Sequence, residues 1–117
     1  MGLVLLVRDH NRAEIYSERI SDYSDFHAFR VAWAALLGID LDQMDGYGGP
    51  ESWEGKPLQS FFNLSDCEGK ISWRAACTIL RQARKDAPRL QTFNQQFAVL
   101  ISACEKAIQH RTHIIFC

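Results

Sequence analysis

The sequence predicts an α+β fold in which three or four helices pack on a small sheet of two or three strands. Two short apolar runs, 3–7 and 112–116, have the length and composition of strands. Between them, apolar residues recur every three or four positions, the period of an amphipathic helix. Because the two apolar runs lie at opposite ends of the chain, we expect the N- and C-terminal segments to form one sheet.

Length and composition are those of a globular protein. The 117 residues suit one domain covering 1–117, and 47% of them are hydrophobic and 23% charged. Thirteen Lys and Arg against fourteen Asp and Glu give a net charge of −1, which argues against a strongly polyanion-seeking protein. The apolar residues 2–7 are too few to cross a membrane or to form a signal peptide. We therefore expect a cytoplasmic protein with reduced thiols and no membrane partner.

The first half of the chain predicts two strands, a helix and a long loop. The weak alternation over 13–19 indicates a second strand, joined to the first by a turn at 9–12. Ser24 is the expected N-cap of a helix that ends at Gly38. The apolar face of this helix comprises Phe26, Phe29, Trp33, Leu36 and Leu37. Residues 39–56 are rich in glycine and acids, and they predict a long loop of the kind that is often functional.

The second half predicts three helices. Pro57 is placed to open a short one, and Ser72 to cap a longer one that stops at Ala87-Pro88. Arg74, Arg81 and Lys85 are expected on the outward face of the longer helix, opposite an apolar face formed by Trp73, Ala76, Cys77, Leu80 and Ala83. The pattern Thr92-x-x-Gln95 is typical of a capping box at the start of the last helix. Cys104 lies on the apolar stripe of this helix, and we expect both Cys77 and Cys104 to be core residues.

The segment 63–72 partly matches a calcium loop of the EF-hand kind. With Gly69 at the sixth position, Asp66 and Glu68 fall at ligand positions three and five and Ile71 at position eight. Positions one and twelve are then Leu64 and Ala75, which have no side-chain oxygen. A hydrogen-bonded turn leading into the next helix is therefore the favoured interpretation, and a divalent-metal site at Asp66 and Glu68 is the alternative.

Two motifs resemble a known group of proteins. They are Gly46-Tyr47-Gly48-Gly49, followed by Trp53, and Asn63-x-Ser65-Asp66-Cys67-x-Gly69. Together they resemble small uncharacterised bacterial and phage-borne proteins. The resemblance implies a bacterial or phage origin and brings no activity, so it assigns no catalytic residue.

Cysteine and histidine offer weak grounds for catalysis or metal binding. Cys67 lies in a polar loop, but neighbouring Asp66 and Glu68 disfavour its thiolate. A zinc site at His110, His113 and Cys117 lacks the usual closely paired ligands. We expect no cofactor and no catalytic residue, although an enzyme with a Cys67–His pair stays open.

Charge is distributed unevenly along the chain. Residues 39–56 carry five acids against Lys56, a net charge of −4, and residues 70–89 carry six bases against Asp86, a net charge of +5. We expect the acidic loop to expose Tyr47 and Trp53, which are aromatic types enriched at interface hot spots. The predicted partner-binding residues are Tyr47, Glu51, Trp53, Glu54, Arg74, Arg81 and Lys85.

These surfaces favour a small non-enzymatic module that binds another protein, of the inhibitor, immunity or phage-accessory type. One alternative is a divalent-metal or small-ligand module built on 63–72. The other is nucleic-acid binding through the basic helix 73–86, which the absence of interleaved exposed aromatics disfavours.

Overall fold

The computed structural model describes residues 2–63 and 69–117. Within them, four helices accompany a four-stranded antiparallel sheet of order β2-β1-β4-β3. The strands are β1 (Gly2–Arg8), β2 (Glu14–Asp22), β3 (Lys70–Ile71) and β4 (Ile114–Phe116). The helices are α1 (Tyr23–Leu36), α2 (Gln59–Phe62), α3 (Trp73–Asp86) and α4 (Asn94–His110). The α+β class is confirmed, with one strand more than the two or three expected.

The N- and C-terminal segments pair in one sheet, as predicted, and the structure places them at its centre. In the β1–β4 pair, Leu5 lies opposite Phe116 and Val7 opposite Ile114. The additional strand β3 pairs with β4, placing Ile71 opposite Ile114. Strand β3 was not predicted, because a two-residue strand is too short to show an alternating pattern.

Alternate residues of the central strands face the helices. The side chains buried from this side of the sheet include Leu3, Leu5, Val7, Ile114 and Phe116. Aromatic rings fill the space between sheet and helices; Phe29 and Phe97 pack edge to face with their centroids 4.9 Å apart. This single cluster of buried residues fixes α1 and α4 against the sheet.

Asp86 links the end of α3 to α1. Asp86 is 1% exposed, and its Oδ2 accepts hydrogen bonds from Trp33 Nε1 at 2.9 Å and Gln82 Nε2 at 2.7 Å. A buried carboxylate with two donors is far less costly than an unpaired one. Asp86 therefore orients α3 and does not contribute to its surface charge.

Three expected helix starts are wrong and one is confirmed. Asp22, not Ser24, caps α1, because its extended backbone lets the carboxylate accept from the Asp25 N–H at 2.7 Å. The short helix α2 begins at Gln59, beyond Pro57. Thr92 lies in a 3₁₀ turn, so α4 starts at Asn94 without a side-chain cap and the capping box does not form. Ser72 caps α3 as predicted.

Candidate functional site

Helix α3 presents a basic face to solvent. The Ser72 hydroxyl oxygen accepts a hydrogen bond from the Ala75 N–H at 3.2 Å and fixes the start of the helix. Its buried side consists of Ala76, Ile79, Leu80, Ala83 and Asp86. On the other side, the exposed cations are Arg74, Arg81, Arg84 and Lys85. The predicted location of Arg74, Arg81 and Lys85 on the outward face is confirmed.

A groove runs between α3 and α4 along this basic face. Its lining residues are Cys77, Leu80, Arg81, Arg84 and Ile108. The floor is apolar and both charged members are arginines, whose planar guanidinium groups match carboxylates in a two-point geometry. The groove can therefore accept an apolar side chain of a partner while Arg81 and Arg84 at its rim pair with the partner's carboxylates.

Arg84 forms an ion pair with Glu105 on α4. Its Nη2 lies 2.9 Å from Glu105 Oε2, and the two side chains are 58% and 51% exposed. An ion pair this exposed contributes about 0–1 kcal/mol, so a partner's carboxylate can compete for the guanidinium. Arg81, by contrast, forms no ion pair within the described part of the chain.

Trp73 lies at the start of the same helix, and two arginine side chains approach its ring. The guanidinium carbon of Arg74 is 5.3 Å from the centre of the indole ring, and that of Arg111 is 5.8 Å away. Trp73 is half-buried. Sequence analysis placed it on the core face and missed Arg111, which reaches it because α4 ends there in a left-handed turn at φ 51°.

The acidic loop 39–56 is closed by its aromatic residues. Trp53 is only 4% exposed, and its Nε1 donates to the Asp45 carbonyl at 2.7 Å. The prediction that the loop exposes Trp53 for partner binding is wrong, because burial of the indole is what holds the loop against the core. The sequence does not reveal this burial, because a glycine-rich composition does not determine where an aromatic side chain points.

Tyr47 has a similar anchoring contact. Arg30 Nη1 donates to the Tyr47 hydroxyl at 2.9 Å, and that hydroxyl donates to the Phe62 carbonyl. The Arg30 guanidinium also lies 4.4 Å from the centre of the Phe26 ring. Tyr47 is half-buried, so only part of its side chain is open to a partner.

The acidic side chains of the loop are exposed to solvent. Asp40, Asp42, Asp45, Glu51 and Glu54 are all exposed. Glu51 lies 3.9 Å from Lys56, a distance at which an exposed pair is weak. The loop is therefore an acidic surface on an anchored backbone, and the predicted residues Glu51 and Glu54 belong to it.

The predicted metal residues Asp66 and Glu68 lie outside the described residues, as does Cys67. In the ranges 2–63 and 69–117, no group of three His, Cys, Asp or Glu side chains is placed to hold a metal ion. This includes His110, His113 and Cys117.

Thiol chemistry is disfavoured at Cys104, the most buried of the cysteines that the structure describes. Burial raises the pKa of the Cys104 thiol to about 12, with smaller contributions from Cys77 and Glu105. The neutral thiol is therefore the stable form, and Cys104 is a core residue as predicted. Cys77, predicted to be core as well, is half-buried and lines the groove.

Among the described helices, none has the length and apolar character needed to cross a bilayer. No protein-family model matches the chain, and no match was found among curated proteins or solved structures.

Proposed function

We propose that this chain is a non-enzymatic, cytoplasmic protein-binding module that recognises an acidic, partly apolar segment of another protein through the groove between α3 and α4. The observation that carries the proposal is the combination of an apolar floor, formed by Leu80 and Ile108, with the arginine rim at Arg81 and Arg84. An inhibitor, immunity or phage-accessory role is compatible with such a module.

Affinity and specificity would come from different parts of the groove. Leucine-like side chains on the partner would remove the apolar floor from water, which favours binding by about 25 cal/mol per Å². Carboxylates on the same segment would pair with Arg81 and displace Glu105 from Arg84. Neighbouring Lys85 and Arg74 lie outside the groove and would mainly speed the encounter with an acidic partner.

The acidic loop 39–56 gives the molecule a second charged surface. Its exposed carboxylates would recognise a basic partner surface, with half-buried Tyr47 as an aromatic contact. Because these carboxylates could pair with the groove's arginines, a second copy of this chain is the alternative occupant of the α3–α4 groove.

A synthetic helical peptide tests the groove directly. It carries leucines at positions i, i+3, i+4 and i+7 and glutamates elsewhere, and fluorescence anisotropy measures its binding. We expect saturable binding that weakens with salt and falls about tenfold or more in Arg81→Glu, because a favourable charge pair becomes a repulsive one. The matched control is Arg89→Glu, which makes the same charge change at an exposed position outside the groove lining.

Three results would contradict the proposal. They are absence of binding at millimolar peptide, equal binding of a scrambled peptide of the same composition, and equal weakening by Arg81→Glu and Arg89→Glu. Concentration-dependent self-association that Arg81→Glu abolishes would instead assign the groove to a second copy.

The two alternative functions have their own measurements. Salt-sensitive retention on single-stranded DNA, lost in Arg81→Glu with Lys85→Glu, would favour nucleic-acid binding over protein binding. For the segment 63–72, thermal unfolding with calcium or magnesium at a hundred times the dissociation constant should show a stabilisation of about 2.7 kcal/mol if a cation binds there.

A further inference from the structure

A separate cleft lies at one end of the sheet, on the face opposite the core. It has a volume of about 430 Å³, within the range of pockets that bind small molecules. Its lining residues are Arg8, Asp9, Arg12, Lys70, Thr112, His113 and Ile115. None of these residues lines the α3–α4 groove.

Strand register explains why basic side chains converge here. Leu6, Ile115 and Lys70 lie directly opposite one another on β1, β4 and β3, so they share one face of the sheet. Because side chains alternate along a strand, Arg8 and His113 extend the same face by one row. Residues that are distant in sequence thereby meet at one site, a juxtaposition that sequence analysis did not detect.

The cleft has an excess of positive charge. Arg8, Arg12 and Lys70 oppose one carboxylate, Asp9, and none of these three cations forms an ion pair within the ranges that the structure describes. Asp9 is itself engaged, because its Oδ1 accepts hydrogen bonds from the Asn11 and Ala13 N–H groups, both at 2.9 Å. Three cations without described carboxylate partners in one concave site favour an anionic ligand.

The backbone at Arg12 is an independent observation. Arg12 adopts φ 66° in the turn between β1 and β2, a left-handed conformation in which glycine or asparagine is normally found. The turn is closed by a hydrogen bond from the Arg12 N–H to the Asp9 carbonyl at 2.9 Å. A strained arginine that lines a basic cleft is the kind of outlier that is concentrated at binding sites.

We propose that this cleft binds a phosphate-type oxyanion, as the free ion or as the phosphate group of a small molecule. Arg8 and Arg12 supply forked donors for two oxygens each, and Lys70 adds a point charge. The Thr112 hydroxyl and the His113 ring supply further hydrogen-bond partners.

Titration calorimetry with inorganic phosphate tests the proposal, with potassium chloride at equal ionic strength as the comparison. We expect saturable phosphate binding that chloride does not reproduce, and a loss of affinity of about tenfold or more in Arg8→Gln, because a charged donor is removed. The matched control is Arg19→Gln. Arg19 is exposed on β2 and lies against Gly2, at the far end of β1.

Arg12→Gly separates binding from folding. Glycine relieves the positive φ, so the thermal midpoint should stay the same or rise while phosphate affinity falls. A variant that binds less tightly without being less stable cannot owe its defect to misfolding.

Adenosine monophosphate distinguishes the two sources of the phosphate group. Equal affinity for it and for inorganic phosphate supports recognition of the phosphate alone, and tighter binding supports a ligand that carries it. The proposal is overturned if chloride matches phosphate, if Arg8→Gln and Arg12→Gly bind phosphate as tightly as the native chain, or if Arg19→Gln is equally impaired.

Discussion

The acidic loop 39–56 and helix α3 both carry a strong charge and a tryptophan, yet they use the tryptophan in opposite ways. In the loop, Trp53 points inward and only the carboxylates face water. At the start of α3, Trp73 is half-buried with arginine side chains on its ring. The difference teaches that a tryptophan in a charged segment can either pack into the core or remain partly exposed among the charges. The direction of its side chain decides which.

The largest effect is expected when each tryptophan is replaced by alanine. Trp53→Ala should lower the free energy of unfolding by about 3–5 kcal/mol, because it empties a buried site. Trp73→Ala should cost at most about 2 kcal/mol, since part of the ring already faces water. Urea unfolding followed by circular dichroism measures both. Equal losses would mean that the two rings have the same role.

Gly49→Ala tests how tightly the loop is closed. A Cβ at this position would lie 2.0 Å from the carbonyl carbon of Gln43, so the backbone has to move. We expect a loss of about 1–3 kcal/mol in the free energy of unfolding, the usual range for overpacking. Glu54→Ala, at an exposed position of the same loop, should change it by less than about 0.5 kcal/mol. If Gly49→Ala is as mild as that control, the loop is less firmly packed than the contacts of Trp53 indicate.

The charged rim of α3 should contribute little to stability. In a double-mutant cycle of Arg84→Ala and Glu105→Ala, we expect a coupling energy of about 0.2–1 kcal/mol, because both side chains are largely in water. The coupling should decrease as salt is added. A coupling well above this range would show that Arg84 serves the fold and is less available to a partner.

The smallest effect concerns thiol reactivity, which reports the burial of a cysteine without any substitution. At pH 8, iodoacetamide should label exposed Cys117 quickly and leave Cys104 unmodified until the chain unfolds, as peptide mass mapping can establish. Because the folded pKa of Cys104 is raised from 9.0 to about 12, its contribution to stability is complete below pH 9 and is lost as the pH rises towards 12. Rapid labelling of Cys104 in the native state would contradict its place in the core.

Periodicity and capping chemistry predicted much of the fold. The apolar runs located β1 and β4, and Ser72 with Ala87-Pro88 bounded α3, because these signals depend on near neighbours in the chain. The sequence did not reveal that Asp22 caps α1, because Ser24, two positions later, is an equally good capping residue. It could not reveal β3 either, whose two residues owe their conformation to pairing with β4.

The candidate surfaces were predicted in part. Exposure of Arg81 and Lys85 followed from helical spacing against the apolar face. Burial of Trp53 did not, because it depends on where a loop without regular structure folds back. The cleft at Arg8, Lys70 and His113 was invisible in the sequence, since only strand register brings these residues together.

Strand order also constrains how the polypeptide acquires its structure during synthesis. β1 is an inner strand, and one of its two edges pairs with β4, more than a hundred positions further along. Until residues 114–116 leave the ribosome, that apolar edge has no native hydrogen-bonding partner and is open to wrong pairing. Such long-range closure slows folding, so we expect nascent chains to need protection until the last strand arrives.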